Sequence, residues 1–105
     1  AVHCVDHNGA EDLRASKRDN HLAWLRESGR ICMAGPLLAP PGPESAGEPE
    51  VGVGSRVGTL LVVTGDDLEQ VRQWAKQDPY NVAGLFEGIT VAPLATFALE
   101  ETLDF

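Results

Sequence analysis

Positive charge is scarce in this chain: Lys and Arg number 8 against 16 Asp and Glu, for a formal net charge of −8. Nucleic-acid surfaces are built from concentrated Lys and Arg, so DNA and RNA are not expected partners. Long apolar runs are also missing. No stretch approaches the ~18–20 residues that would span a bilayer, and the opening AVHCVDHNGA lacks a basic start followed by an apolar stretch; no membrane association and a cytoplasmic location are expected. Cysteine is limited to Cys4 and Cys32. Each sits in a strand-like apolar segment, where a free thiol behaves as a small hydrophobe, so both are expected to be reduced and buried. There is no GxSxG signature of a serine hydrolase. The glycines of VGVGS and GPL do not open a helix after a strand, which leaves no dinucleotide or phosphate-loop fingerprint.

What remains is an ordinary globular composition, 43% hydrophobic and 23% charged over 105 residues, the size of a single domain. AVHCVD reads as a first strand closed by the Asn8-Gly9 turn. From Glu11 to about Ser28 there is no Gly or Pro, and Leu13, Leu22, Trp24 and Leu25 recur at roughly helical spacing before Gly29 caps the end. RICMAGPL gives a second strand, stopped at Gly35-Pro36. Residues 36–56 form a Pro/Gly-rich loop with too few apolar residues to fold alone. RVGTLLVVT is the most strand-like segment, and GDDLEQVRQWAKQDP opens with Asp66 three residues before Glu69, a capping-box arrangement for a second helix that Pro79 stops. LFEGITVAPL supplies a fourth strand, and TFALEETLDF a tail that could add an edge strand or pair with a partner.

The order βαββαβ gives an α+β fold, the ferredoxin-like sandwich with both helices on one face of a four-stranded antiparallel sheet. Val5, Ile31, Leu61, Val63, Ile89 and Val91 supply more apolar strand surface than two helices cover. A two-fold homodimer, sheet face to sheet face, is the expected remedy.

At ~100° per residue, Arg14, Arg18, His21 and Leu25 fall in one sector of roughly 60° on the first helix. Three cationic or ionisable side chains on one stripe of an acidic protein suit a small anionic ligand such as a carboxylate; the alternative is that the arginines are solvated partners of Glu11, Asp12 or Asp19. His21 becomes a candidate acid or base if a carboxylate orients it, and Asp78 of DPY is the candidate; otherwise Asp-Pro is a helix stop. HCVDH places His3, Cys4, Asp6 and His7 within five residues, but strand alternation splits them between two faces, so no metal site is expected there. Asp6 ends its strand and could face a cleft.

Taken together, R-x-x-H-L in RDNHLAWL, the A-G-P that follows, and W-x-x-x-D-P-Y with A-G-L resemble the YciI-like (YCII-related domain) family across most of the chain. The resemblance implies a ferredoxin-like fold paired into a dimeric α+β barrel, with a cleft near His21 and Asp78, which the family's motifs mark as a catalytic pair. Arg18, Gly35, Pro36 and Tyr80 also match and are expected around the pocket. The chain departs from the common R-P-A-H, here RDNH, and its 36–56 insertion is longer than usual. Together these readings lead to an expected proton-transfer enzyme of isomerase or dehydrochlorinase-type lyase chemistry. It would act on a small anionic or ring-type substrate without a cofactor, with Arg18 and Arg14 holding the negative group. The alternative is a dimeric module that binds a small metabolite without turning it over.

Overall fold

Four strands and three helices follow one another in the order β1 (Val2–Asp6), α1 (Glu11–Ser28), β2 (Ile31–Leu38), β3 (Arg56–Val63), α2 (Leu68–Ala75), α3 (Pro79–Val82) and β4 (Phe86–Val91). The computed structural model describes residues 1–40 and 55–95; most of the 36–56 loop and the tail beginning at Thr96 lie outside them. The strands form one sheet in the order β2-β3-β1-β4, every neighbouring pair antiparallel. This is the α+β arrangement expected from the order of elements. No helix among the described residues is long and apolar enough to cross a membrane.

The local chemistry of the elements explains their bounds. Glu11 and Asp12 open α1 and Arg26 lies in its last turn, both favourable to the helix dipole. Gly29 ends the helix in the left-handed region at φ 67°, which glycine adopts without a Cβ penalty. The cap of α2 is Asp67, not Asp66. Its extended backbone lets Oδ1 accept from the Gln70 N–H at 2.8 Å, while Glu69 accepts instead from Arg72 and Gln73. β2 does not stop at Gly35-Pro36 but runs on to Leu38. Pro36 is tolerated because β2 is an edge strand, where a missing N–H need not break a ladder on its open side. The sequence reading missed α3, a single turn begun by Asp78 and Pro79.

The core lies between the sheet and the helices: Val2, Cys4, Leu61 and Phe86 from the strands meet Leu25, Val71, Ala75, Tyr80 and Leu85. Trp24 stacks on Trp74 at 4.4 Å and ties α1 to α2. A side chain at Gly58 would run into the Cys4 carbonyl, so β1 and β3 close on each other only with glycine there. Cys4 is buried as expected, but Cys32 is exposed, because it falls in a register shift between Ile31 and Met33 on the edge strand.

Register also corrects the account of the uncovered face. Cys4 and Val2 are buried and pair with Ile89 and Val91 on one side and with Thr59 and Leu61 on the other. Ile31, Leu61, Val63, Ile89 and Val91 therefore belong to the helix side, where they pack in or against the core. Of the six residues invoked from sequence, only Val5 points the other way. The open face is instead made by Val5 with Met33, Leu37, Leu60 and Val62, and Val5 and Met33 are 42% and 60% exposed.

Candidate active site

α1 carries the site along one stripe. Arg14, His21 and Leu25 turn inward and are buried, whereas Arg18 at its edge is exposed. Asp78 arrives from the far side as the cap of α3. Its Oδ1 accepts from the Tyr80 backbone N–H at 2.9 Å and lies 2.7 Å from His21 Nδ1. A carboxylate so placed favours the Nδ1-protonated tautomer and leaves Nε2 as the nitrogen with a free lone pair. The pair is deeply enclosed, with 5% of His21 and 1% of Asp78 exposed.

Among the described residues, Asp78 Oδ2 is the one buried side-chain polar atom without a hydrogen-bond partner. His21 Nε2 makes no hydrogen bond to a described residue, and His21 lines a hollow of about 560 Å³ between α1 and the end of β2.

All six pocket residues expected from sequence besides Asp78, namely Arg14, Arg18, His21, Gly35, Pro36 and Tyr80, line this hollow. Asp78 stands behind His21 and does not. Arg14 is committed: its Nε donates to Asp6 Oδ2 at 2.7 Å, and one NH2 group donates to Asp6 Oδ1 at 3.1 Å and to Thr59 Oγ1 at 2.6 Å. Asp6 thus sits behind the hollow, not in its lining, and pairs with Arg14. The cation that the sequence reading missed is Arg56, exposed on the opposite wall at the start of β3. Nothing in SRVGT distinguished it from a solvated strand-end residue. Neither Arg18 nor Arg56 forms an ion pair among the described residues.

Tyr80 organises the floor. Its ring stacks on the His21 imidazole with centroids 4.0 Å apart, meets Phe86 edge-on, and lies 4.7 Å from the Arg14 guanidinium carbon. Burial pushes the Tyr80 hydroxyl above its ordinary range, with the Arg14 charge pulling the other way. Behind this floor, burial, followed by the Asp78 and Asp6 charges, pushes the Cys4 thiol up to about 12.

The model of the YCII-related domain matches residues 1–95. The chain belongs to the YCII-related domain family. "Protein YciI" of Escherichia coli O6:H1 and its counterpart in Shigella flexneri are each 32% identical over 95 residues, spanning 88% of this chain and 91% of the relative. Among solved structures, the YCII-related chain superposes with a TM-score of 0.72 and 22% identity, over 90% of both chains, on 5-chloro-2-hydroxyhydroquinone dehydrochlorinase (TftG) from Burkholderia phenoliruptrix AC1100, bound to 2,5-dihydroxybenzoquinone. At that identity the likeness is one of fold. Asp19 and Asn20 of RDNH are both exposed, and neither lines the hollow.

Proposed function

We propose that this YCII-related protein is a small enzyme that moves a proton on an anionic or ring-type organic substrate, in an isomerisation or a dehydrochlorinase-type elimination. The observation that carries the reading is the 2.7 Å contact between His21 Nδ1 and Asp78 Oδ1 at the wall of a ligand-sized hollow. His21 Nε2 is the base; Asp78 orients the ring and offsets the imidazolium charge. Arg18 and Arg56 hold the negative group. Arg14, Gly35, Pro36 and Tyr80 form the walls.

In the elimination, one hydroxyl proton of the ring first moves to the chlorinated carbon, which becomes tetrahedral, and Nε2 then takes a proton from a second ring hydroxyl. The electron pair released moves through the ring, and the carbon–chlorine pair departs with chloride, so the net loss is HCl and no oxidant, reductant or cofactor is consumed. The dehydrochlorinase whose fold this chain shares supports the choice of a chlorinated hydroquinol as the first substrate to try. The same proposal includes a homodimer in which the open sheet faces of two copies meet.

Chloride release from 5-chloro-2-hydroxyhydroquinone tests the assignment. The wild type is expected to turn over, His21→Gln to lose roughly 10²–10⁴-fold in kcat, and Asp78→Asn to lose less. A wild type that binds 2,5-dihydroxybenzoquinone yet releases chloride from no halogenated hydroquinol replaces the enzyme with a binding module.

A further inference from the structure

We propose that Tyr80 is a positioning residue for the base: its aromatic ring, rather than its hydroxyl, holds the His21 imidazole at a fixed angle about the Asp78 hydrogen bond. The assignment rests on the proton-transfer reading of the site and goes beyond it by naming what sets the plane of the reacting ring.

The need for such a brace comes from the side chain itself. The outer torsion of histidine is broad and roughly two-fold, so the residue alone does not choose the plane of its imidazole. Asp78 Oδ1 holds one ring atom, Nδ1, at 2.7 Å. A single hydrogen bond acts as a pivot, about which the ring can still rock. Against one face of that ring lies Tyr80, with centroids 4.0 Å apart and planes 17° from parallel. Rocking toward Tyr80 is blocked by the contact of two flat surfaces, and rocking away gives up their stacking. Trp24, the other aromatic ring near His21, stands 6.4 Å off at 33° and offers no such flat contact.

A brace must itself be fixed, and Tyr80 is held from three directions. Its backbone N–H donates at 2.9 Å to the same Asp78 Oδ1 that meets His21, so both residues are registered to one oxygen. Phe86 meets its ring edge-on with centroids 6.0 Å apart. The Arg14 guanidinium carbon lies 4.7 Å from the ring centroid, and Arg14 is locked in turn by its hydrogen bonds to Asp6 and Thr59. The buried ion pair thereby gains a second task, that of backing the Tyr80 ring. This precision matters for a base, because misplacing a catalytic group by about 1 Å can cost about 10²-fold in rate.

The chain has three histidines, and His3 and His7 are exposed, so imidazole rings labelled with carbon-13 supply His21 with two mobile references. Carbon relaxation in the unliganded protein is expected to show the His21 ring rigid on the ps–ns timescale in wild type and Tyr80→Phe, and mobile in Tyr80→Leu. With 5-chloro-2-hydroxyhydroquinone, Tyr80→Leu is expected to lower kcat by about 10²-fold and KM much less, whereas Tyr80→Phe, which keeps the ring, retains a kcat close to wild type. A wild-type His21 ring as mobile as those of His3 and His7 overturns the proposal, as does an equally rigid ring in Tyr80→Leu or a Tyr80→Phe kcat as low as that of Tyr80→Leu. Should Tyr80→Leu not fold, a rigid His21 with matching kcat in wild type and Tyr80→Phe upholds the brace, and a mobile ring or a lost kcat in Tyr80→Phe overturns it. Should the wild type release no chloride, the proton-transfer reading fails, and the relaxation of the unliganded protein alone upholds or overturns the role of Tyr80.

Discussion

Arg14 and Asp6 form a two-point ion pair, 2.7 and 3.1 Å between donor and acceptor atoms, with both side chains more than nine-tenths buried. Breaking such a pair from one side strands a charge in a low-dielectric interior. Asp6→Ala is expected to destabilise the fold by about 3–5 kcal/mol, read from urea denaturation. Replacing both residues, as in Asp6→Ala with Arg14→Leu, is expected to recover a large part of that loss. Equal destabilisation by the single and double variants would show that the charge left behind is not the cause.

The two cysteines are expected to behave oppositely. Cys32 is exposed and Cys4 buried, so a thiol reagent should titrate one group in the folded protein and the second only in urea. Cys4 ionises near 12 when folded against an ordinary value of 9.0. Its folded pKa is raised, so the stability it contributes is complete below pH 9 and is lost as pH climbs through 12. The loss runs at about 1.4 kcal/mol per pH unit. Cys4→Ala removes this alkaline slope, which urea midpoints at pH 8 and pH 11 would reveal by comparison with wild type.

The strands and the two longer helices were legible because each rests on local chemistry, such as an uninterrupted helix and a glycine stop, whereas His21 and Asp78 lie 57 residues apart and were paired only through the motifs that resemble the YciI-like family. The fate of Arg14 was not. Helical spacing places Arg14 and Arg18 on one stripe but says nothing of what the strands oppose to it, and the residue that neutralises Arg14 lies across a register shift where Asp6 pairs with Phe86. α3 was missed although Asp78 before Pro79 is itself a cap followed by a favoured first-turn proline. Arg56 left no trace because its meaning depends on facing α1 across the hollow. The open sheet face was inferred from largely the wrong residues, since near-continuous apolar strands do not disclose which alternate set points outward.

The anion clamp should therefore reside in Arg18 and Arg56. Alanine at either position is expected to weaken binding of 2,5-dihydroxybenzoquinone by roughly 3–10-fold at low ionic strength, and the effect should shrink as salt is raised, because both groups are exposed. Fold stability should stay within about 0.5 kcal/mol of wild type. Unchanged affinity in the double variant would remove these residues from the site.

The open face of the sheet is the expected contact between two copies of the chain. Val5 and Met33 stand well exposed on it beside Leu37, Leu60 and Val62, and an apolar surface spread over three adjacent strands is unfavourable in water. A symmetric pairing buries the same patch from both copies, so sedimentation is expected to show a dimer whose melting temperature rises with protein concentration. Met33→Glu would place one unpaired carboxylate from each copy in that interface and should weaken association by at least roughly 100-fold. The hollow lies on the helix side, between α1 and β2, so separated Met33→Glu subunits should still bind 2,5-dihydroxybenzoquinone. Wild type sedimenting as a monomer across the whole concentration range would leave the face uncovered, and loss of quinone binding on dissociation would mean that the partner completes the pocket.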